Sequence, residues 1–145
     1  MAFLWNEKYY TGIDVIDKQH IAFLDLLNKM HDHYSNDADT IIGEDEKLHI
    51  YGDILKLREY ALNHFFAEEK YMISNKYPKF FDHKNEHDTF IKKVFELEGK
   101  LFKDTNFDPR ELIEFIVEWL KNHIIRIDRQ FGEYAKRRNS GLELT

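Results

Sequence analysis

Seven side chains that resist burial recur at helical spacing along this chain: His20, His64, Glu68, His83, His87, His123 and Asp128. Within His64-Phe65-Phe66-Ala67-Glu68 and His83-Lys84-Asn85-Glu86-His87 the spacing is i,i+4. That spacing puts both side chains on one helix face, about 6 Å apart along the axis. A buried polar group without a partner costs several kcal/mol. A fold that gathers five imidazoles and two carboxylates in its interior must therefore supply something they share. A metal centre is the simplest partner for all seven.

The surrounding pattern predicts an all-α chain, an antiparallel up-down-up-down four-helix bundle. After an N-terminal arm (1–16), the first helix is expected over about 17–35, with Asp17 as N-cap and Phe23, Leu24, Leu27 and Met30 on its apolar face. Asn36 to Gly43 reads as a polar loop, and a second helix follows over about 44–74. Tyr77-Pro78 interrupts it, because the residue before proline is pushed out of the α region. A third helix is expected over about 80–103, then a turn at Asp104 to Phe107. Asp108-Pro109 opens a fourth over about 109–130, with a capping carboxylate before proline at the first helical position. The tail 131–145 is polar and basic, with no pattern of its own.

In such a bundle, starts of odd helices and ends of even helices share one end. All seven residues fall there. The other histidines do not: His31 shares the face of His20 but lies about 16 Å further down the axis, and His33 and His49 are also remote. Those three are assigned to solvent or ordinary packing. Glu69 and Asp128 each follow a histidine by five residues, about 140° round a regular helix. Glu69 is therefore expected in solvent. Asp128 requires either a π-type turn or a fraying helix end.

The length, 145 residues, corresponds to one domain. A net charge of −6 disfavours nucleic acid as a partner, and the Arg137-Arg138 pair is too short to reverse this. Cysteine is absent, which excludes disulfides, thiolate zinc and iron–sulfur ligation. No apolar run approaches the ~20 residues of a membrane span. Met1 to Tyr10 has no basic stretch followed by an apolar one, so cytoplasmic residence is expected. Nothing indicates a protein partner.

Two other metal patterns fit less well. His83-Lys84-Asn85-Glu86-His87 also spells H-x-x-E-H, the inverted zinc-peptidase motif, but that reading leaves His20, His64, His123 and Asp128 without a role. A ferritin-like di-iron site needs Glu three residues before its histidines, and His20 has only Asp17 there.

Over about residues 1–132 the chain resembles the bacteriohemerythrins. The resemblance lies in Trp5, Thr11-Gly12-Ile13, Ile16-Asp17-Lys18-Gln19-His20, His64-Phe65-Phe66-Ala67-Glu68-Glu69, Tyr77-Pro78 and Trp119-Leu120-Lys121-Asn122-His123-Ile124. It implies two non-haem iron ions (Fe2+/Fe3+) joined by an oxo or hydroxo bridge. By that resemblance His83, His87 and His123 complete one iron. His20 and His64 bind the other and leave a position open, and Glu68 and Asp128 bridge both. Leu120 and Ile124 would line a dioxygen pocket with Trp119 beside it. Two ferrous ions, two carboxylates and a hydroxide sum to one positive charge, and dioxygen uptake leaves that sum unchanged. A low-dielectric core favours this, since a new charge there is costly.

The implied function is reversible dioxygen binding for carriage, storage or delivery, with no catalytic residues. An oxygen or redox sensor is the first alternative, but it requires a separate signalling partner. Oxidase, peroxidase or nitric-oxide chemistry is the second, and it calls for polar or redox-active groups beside the open position. Tyr60, Tyr71 and Tyr134 are the tyrosines to locate.

Overall fold

The apolar spacings close into four antiparallel helices that surround a single core. In the computed structural model, residues 3–35, 43–103 and 107–139 are described. The helices are α1 (Asp14–Ser35), α2 (Glu44–Ser74), α3 (Phe80–Lys100) and α4 (Pro109–His123). Helix α4 continues through a π segment (Ile124–Asp128) into α5 (Arg129–Asn139). Helix α1 packs on α2 and α4, and α3 completes the bundle against the same two. Among the described residues there is no strand, and no helix is long and apolar enough to cross a membrane.

Local chemistry explains most boundaries. Asp108 caps α4, its carboxylate accepting from the Arg110 amide at 2.9 Å, and Pro109 occupies the first turn as expected. Helix α2 ends at Ser74 and is capped by Asn75, followed by Lys76 with φ of 54°, and the Tyr77 amide donates back to the Met72 carbonyl at 3.0 Å. The expected loop at Asn36–Gly43 and turn at Asp104–Phe107 lie outside the described residues except for Gly43 and Phe107.

Apart from the end of α3, at Lys100 rather than about 103, two boundaries differ from the sequence expectation. Helix α1 starts at Asp14, not Asp17. Asp17 lies one turn inside, and its carboxylate reaches back to Thr11 N and Oγ1, both at 2.8 Å, and to Gly12 N at 3.2 Å. It therefore ties down the arm, which turns at Gly12 with φ of 90°, a conformation that favours glycine. The second difference is the tail. It is helical to Asn139, because Phe131, Gly132 and Ala135 form a narrow buried face among otherwise polar residues. The Tyr134 hydroxyl adds hydrogen bonds to the carbonyls of Asn75 and Lys76, both 2.9 Å.

Buried apolar side chains form two clusters. The larger one fills the bundle from Met30, Ile50 and Leu112 up to Phe65, Leu120 and Ile124. The smaller joins Ile13, Ile16, Met72, Tyr77, Phe131 and Ala135 at the other end. Between them lies a polar layer.

Candidate metal centre

Each helix brings its part of that layer into the interior at a fixed register. His20 follows Ile16 by one turn of α1, and Met72 follows Glu68 by one turn of α2, so an apolar residue closes the layer from outside. His83 and His87 stack on consecutive turns of α3, their ring centroids 4.7 Å apart. Asp128 reaches the layer through the π segment, in which the Arg129 amide donates to the Ile124 carbonyl five residues back. The wider turn cancels most of the 140° offset from His123. Of the two alternatives open for Asp128, the chain adopts the π turn, and the carboxylate is 1% exposed. All seven residues are buried.

The five imidazoles all present Nε2 to one another and to the carboxylates. His83 Nε2 lies 2.5 Å from Glu68 Oε1 and 2.9 Å from Asp128 Oδ1. His123 Nε2 is 2.9 Å from Asp128 Oδ1, and His87 Nε2 is 3.3 Å from Glu68 Oε1 and 3.1 Å from His123 Nε2. These five donors form one group. The second uses the other carboxylate oxygens: His20 Nε2 is 3.0 Å from Asp128 Oδ2, and His64 Nε2 is 3.4 Å from Glu68 Oε2. Glu68 and Asp128 thus turn one oxygen to each group.

Protein–protein contacts alone leave this arrangement incomplete. Both oxygens of Glu68, Asp128 Oδ2 and both nitrogens of His20 are buried without a well-aligned hydrogen bond. Two imidazole nitrogens facing each other at 3.1 Å can share only one proton. Around a six-coordinate ion with bonds of about 2.1 Å, neighbouring donors stand about 3 Å apart. The close spacings within each group match that edge. Imidazole and carboxylate together suit first-row transition metals, so the donor set fits a pair of such ions.

A family model described as the hemerythrin HHE cation binding domain matches residues 11–135. The chain belongs to the hemerythrin family. It is 37% identical to a bacteriohemerythrin of Clostridium acetobutylicum, over 89% of this chain and 98% of that one. A bacteriohemerythrin of Stenotrophomonas maltophilia is 31% identical, over 94% of this chain and 84% of its own. The crystal structure of a wild-type hemerythrin superposes with a TM-score of 0.78 at 27% identity, covering 93% of this chain and 98% of that one.

Around the donors this hemerythrin domain carries an outer set of acceptors, which the sequence reading did not assign to the centre. Gln19 Oε1 lies 2.6 Å from His64 Nδ1, and Glu69 Oε2 lies 2.9 Å from His87 Nδ1. Glu86 Oε1 is 3.7 Å from His123 Nδ1, a charge contact rather than a hydrogen bond. An acceptor on Nδ1 fixes the proton there and leaves the Nε2 lone pair pointing inward. Glu69 was expected in solvent. Its 100° step from Glu68 instead aims it across the α2–α3 seam at His87, and its side chain is only 18% exposed. The available signal was adjacency: Gln19 and Glu69 each directly adjoin a member of the set.

The remaining sequence assignments fall as follows. His31 is buried in ordinary packing, 3.2 Å from Glu114 and edge-on to Phe3. His33 and His49 lie near each other at the opposite end of the bundle. Trp119 stacks on His123 with centroids 4.5 Å apart, and Phe65 stacks on His87 at 4.0 Å. A small cavity of about 10 Å³ beside His64 is lined by Phe23, Ala61, Phe65, Phe90, Trp119 and Leu120. Ile124 is buried but not among its lining residues. The Tyr60 hydroxyl is engaged by the Gln19 carbonyl at 3.0 Å, Tyr71 packs edge-on to Phe131, and Tyr134 caps the end of α2.

Charge distribution follows from these contacts. Burial acts to raise the pKa values of Glu68 and Asp128, and the charge of Asp128 adds to this at Glu68, yet surrounding histidines hold both well below the usual carboxylate range. Burial disfavours a charged His83, but Asp128 and Glu68 outweigh it and raise its pKa to about 10. His20 and His87 shift upward for the same balance of reasons, whereas burial dominates at His64 and shifts it down. Without metal, protons on imidazoles balance the carboxylates. Cations would displace those protons.

Proposed function

We propose that this chain reversibly binds dioxygen at a pair of oxygen-bridged non-haem irons and serves as a carrier, store or delivery protein. In this reading His83, His87 and His123 hold one iron, His20 and His64 hold the other, and Glu68 and Asp128 bridge them. The observation that carries it is the unequal donor count: the two groups share both carboxylates, but one has three imidazoles and the other two. When bound, the iron pair supplies the electrons that dioxygen binding borrows and returns.

The chain's own residues supply the rest. Gln19 and Glu69 hold His64 and His87 in the tautomer that presents Nε2 to a cation. Phe23, Phe65, Phe90, Trp119 and Leu120 keep the space beside His64 apolar, which suits a small neutral ligand and excludes water. Apart from His64, the residues lining that cavity carry no acid able to give a proton to bound oxygen, which favours holding over reduction. The hydroxyls of Tyr60 and Tyr134 are committed to backbone carbonyls.

The test is optical. Iron-loaded, reduced protein is exposed to oxygen, purged and exposed again. A visible charge-transfer band that rises and falls repeatedly, with one dioxygen taken up per iron pair, is the expected result. Rapid irreversible oxidation with release of peroxide would replace carriage with a redox enzyme or redox sensor.

A further inference from the structure

At the end of the bundle remote from the polar layer, α1 and α2 bring together a second group of metal-ligand side chains. His33 is on the last turns of α1, thirteen residues or about 20 Å beyond His20. His49 and Asp53 are one turn apart near the start of α2, with His49 Nε2 3.5 Å from Asp53 Oδ2. The imidazole rings of His33 and His49 have centroids 5.1 Å apart. Imidazole pairs in the candidate metal centre have similar ring spacings, 4.5 Å for His20 and His64 and 5.0 Å for His83 and His123, and there the donor atoms also gather within 4.8 Å, which those of His33, His49 and Asp53 do not before an ion is bound.

We propose that His33, His49 and Asp53 form a second, surface site for a divalent transition-metal ion of the zinc class. Two imidazoles and a carboxylate are a ligand set that zinc accepts, with water completing the shell. Asp53 is held in place by the Tyr34 hydroxyl, which donates to Oδ2, so the carboxylate is oriented before an ion arrives. Its side chain is 14% exposed, whereas that of His49 is 56% exposed and His33 is open to solvent. An ion can therefore reach the imidazoles directly, and binding it requires their rings, now packed on each other and on Tyr34, to turn so that their nitrogens converge with Asp53. Such an ion would pin the end of α1 to the start of α2. This site is independent of the iron reading, since it shares no residue or helix end with the polar layer.

The experiment is a Zn2+ titration of the iron-loaded chain against a competing chelator, with iron retention measured at each point. One zinc is expected per chain beyond the iron, with the iron retained. The His33 and His49 ring proton signals in the NMR spectrum should shift together as zinc is added. His33→Ala and His49→Ala should each weaken zinc binding at least tenfold, and Asp53→Asn should weaken it as well. Both histidines are surface residues, so their variants keep the fold. Absence of saturable zinc uptake, zinc uptake matched by loss of iron, or unchanged affinity in either histidine variant would overturn the proposal.

Discussion

The two donor groups are built from the same carboxylates but differ in their surroundings. On the His83, His87 and His123 side, three imidazoles converge on Glu68 Oε1 and Asp128 Oδ1, with Trp119 and Phe65 stacked against their rings. On the His20 and His64 side there are only two imidazoles, and His64 borders the small apolar cavity. One side is filled by protein; the other is one ligand short and has adjoining space. On the proposed function, that difference of one imidazole would distinguish a structural ion from a binding ion.

The largest expected effect erases the comparison altogether. Glu68→Gln removes a carboxylate that faces both groups, and metal analysis of the variant should find the iron pair lost. Retention of both irons would show that the groups do not depend on a shared bridge. His64→Ala should distinguish the sides: iron in the three-imidazole group persists, while the reversible optical response to oxygen disappears. Equal iron loss from both positions would break the asymmetry.

Glu69→Gln sharpens the filled side alone. It replaces an anionic acceptor on His87 Nδ1 by a neutral one and should weaken iron affinity by about 10–100-fold, measured by competition with a chelator. Gly132→Ala leaves both donor groups intact but drives a Cβ to within 2.1 Å of the Thr11 carbonyl oxygen. It should cost about 1–3 kcal/mol in denaturant unfolding, with iron content unchanged.

The smallest effect is one of pH in the metal-free chain. Carboxylates depressed below their ordinary values of 4.5 (Glu68) and 3.8 (Asp128) contribute stability above those values and lose it as acid is added. His83, raised from 6.5 to about 10, contributes fully below 6.5 and loses that contribution as pH climbs toward 10. The melting temperature of metal-free protein should therefore fall on both sides of mildly acidic pH. Iron-loaded protein should lack the alkaline decline, because its imidazoles are already neutral.

The helices were legible because their apolar faces repeat without interruption, and the polar layer because i,i+4 spacing is unambiguous. Asp128 was legible only as a conflict. A five-residue offset cannot serve a regular helix, and the π segment resolves it. The start of α1 was misplaced because Asp17 looks like a cap and is one in a different sense, reaching back to Thr11 and Gly12 across the arm. Helix α5 was missed because Phe131, Gly132 and Ala135 are too few to make a visible stripe, and their burial depends on Ile13, Ile16 and Met72 from distant parts of the chain. Glu69 was misjudged for a related reason: a single-helix argument assigns its angle but not what stands opposite.

The central claim is that the two sides of the centre are chemically unequal, and Mössbauer spectroscopy of the reduced, iron-loaded protein tests it most directly. Two ferrous signals of equal area with different quadrupole splittings, only one of which changes strongly when a small anion such as azide is added, is the expected result. A single signal, or two that respond to azide alike, would contradict it.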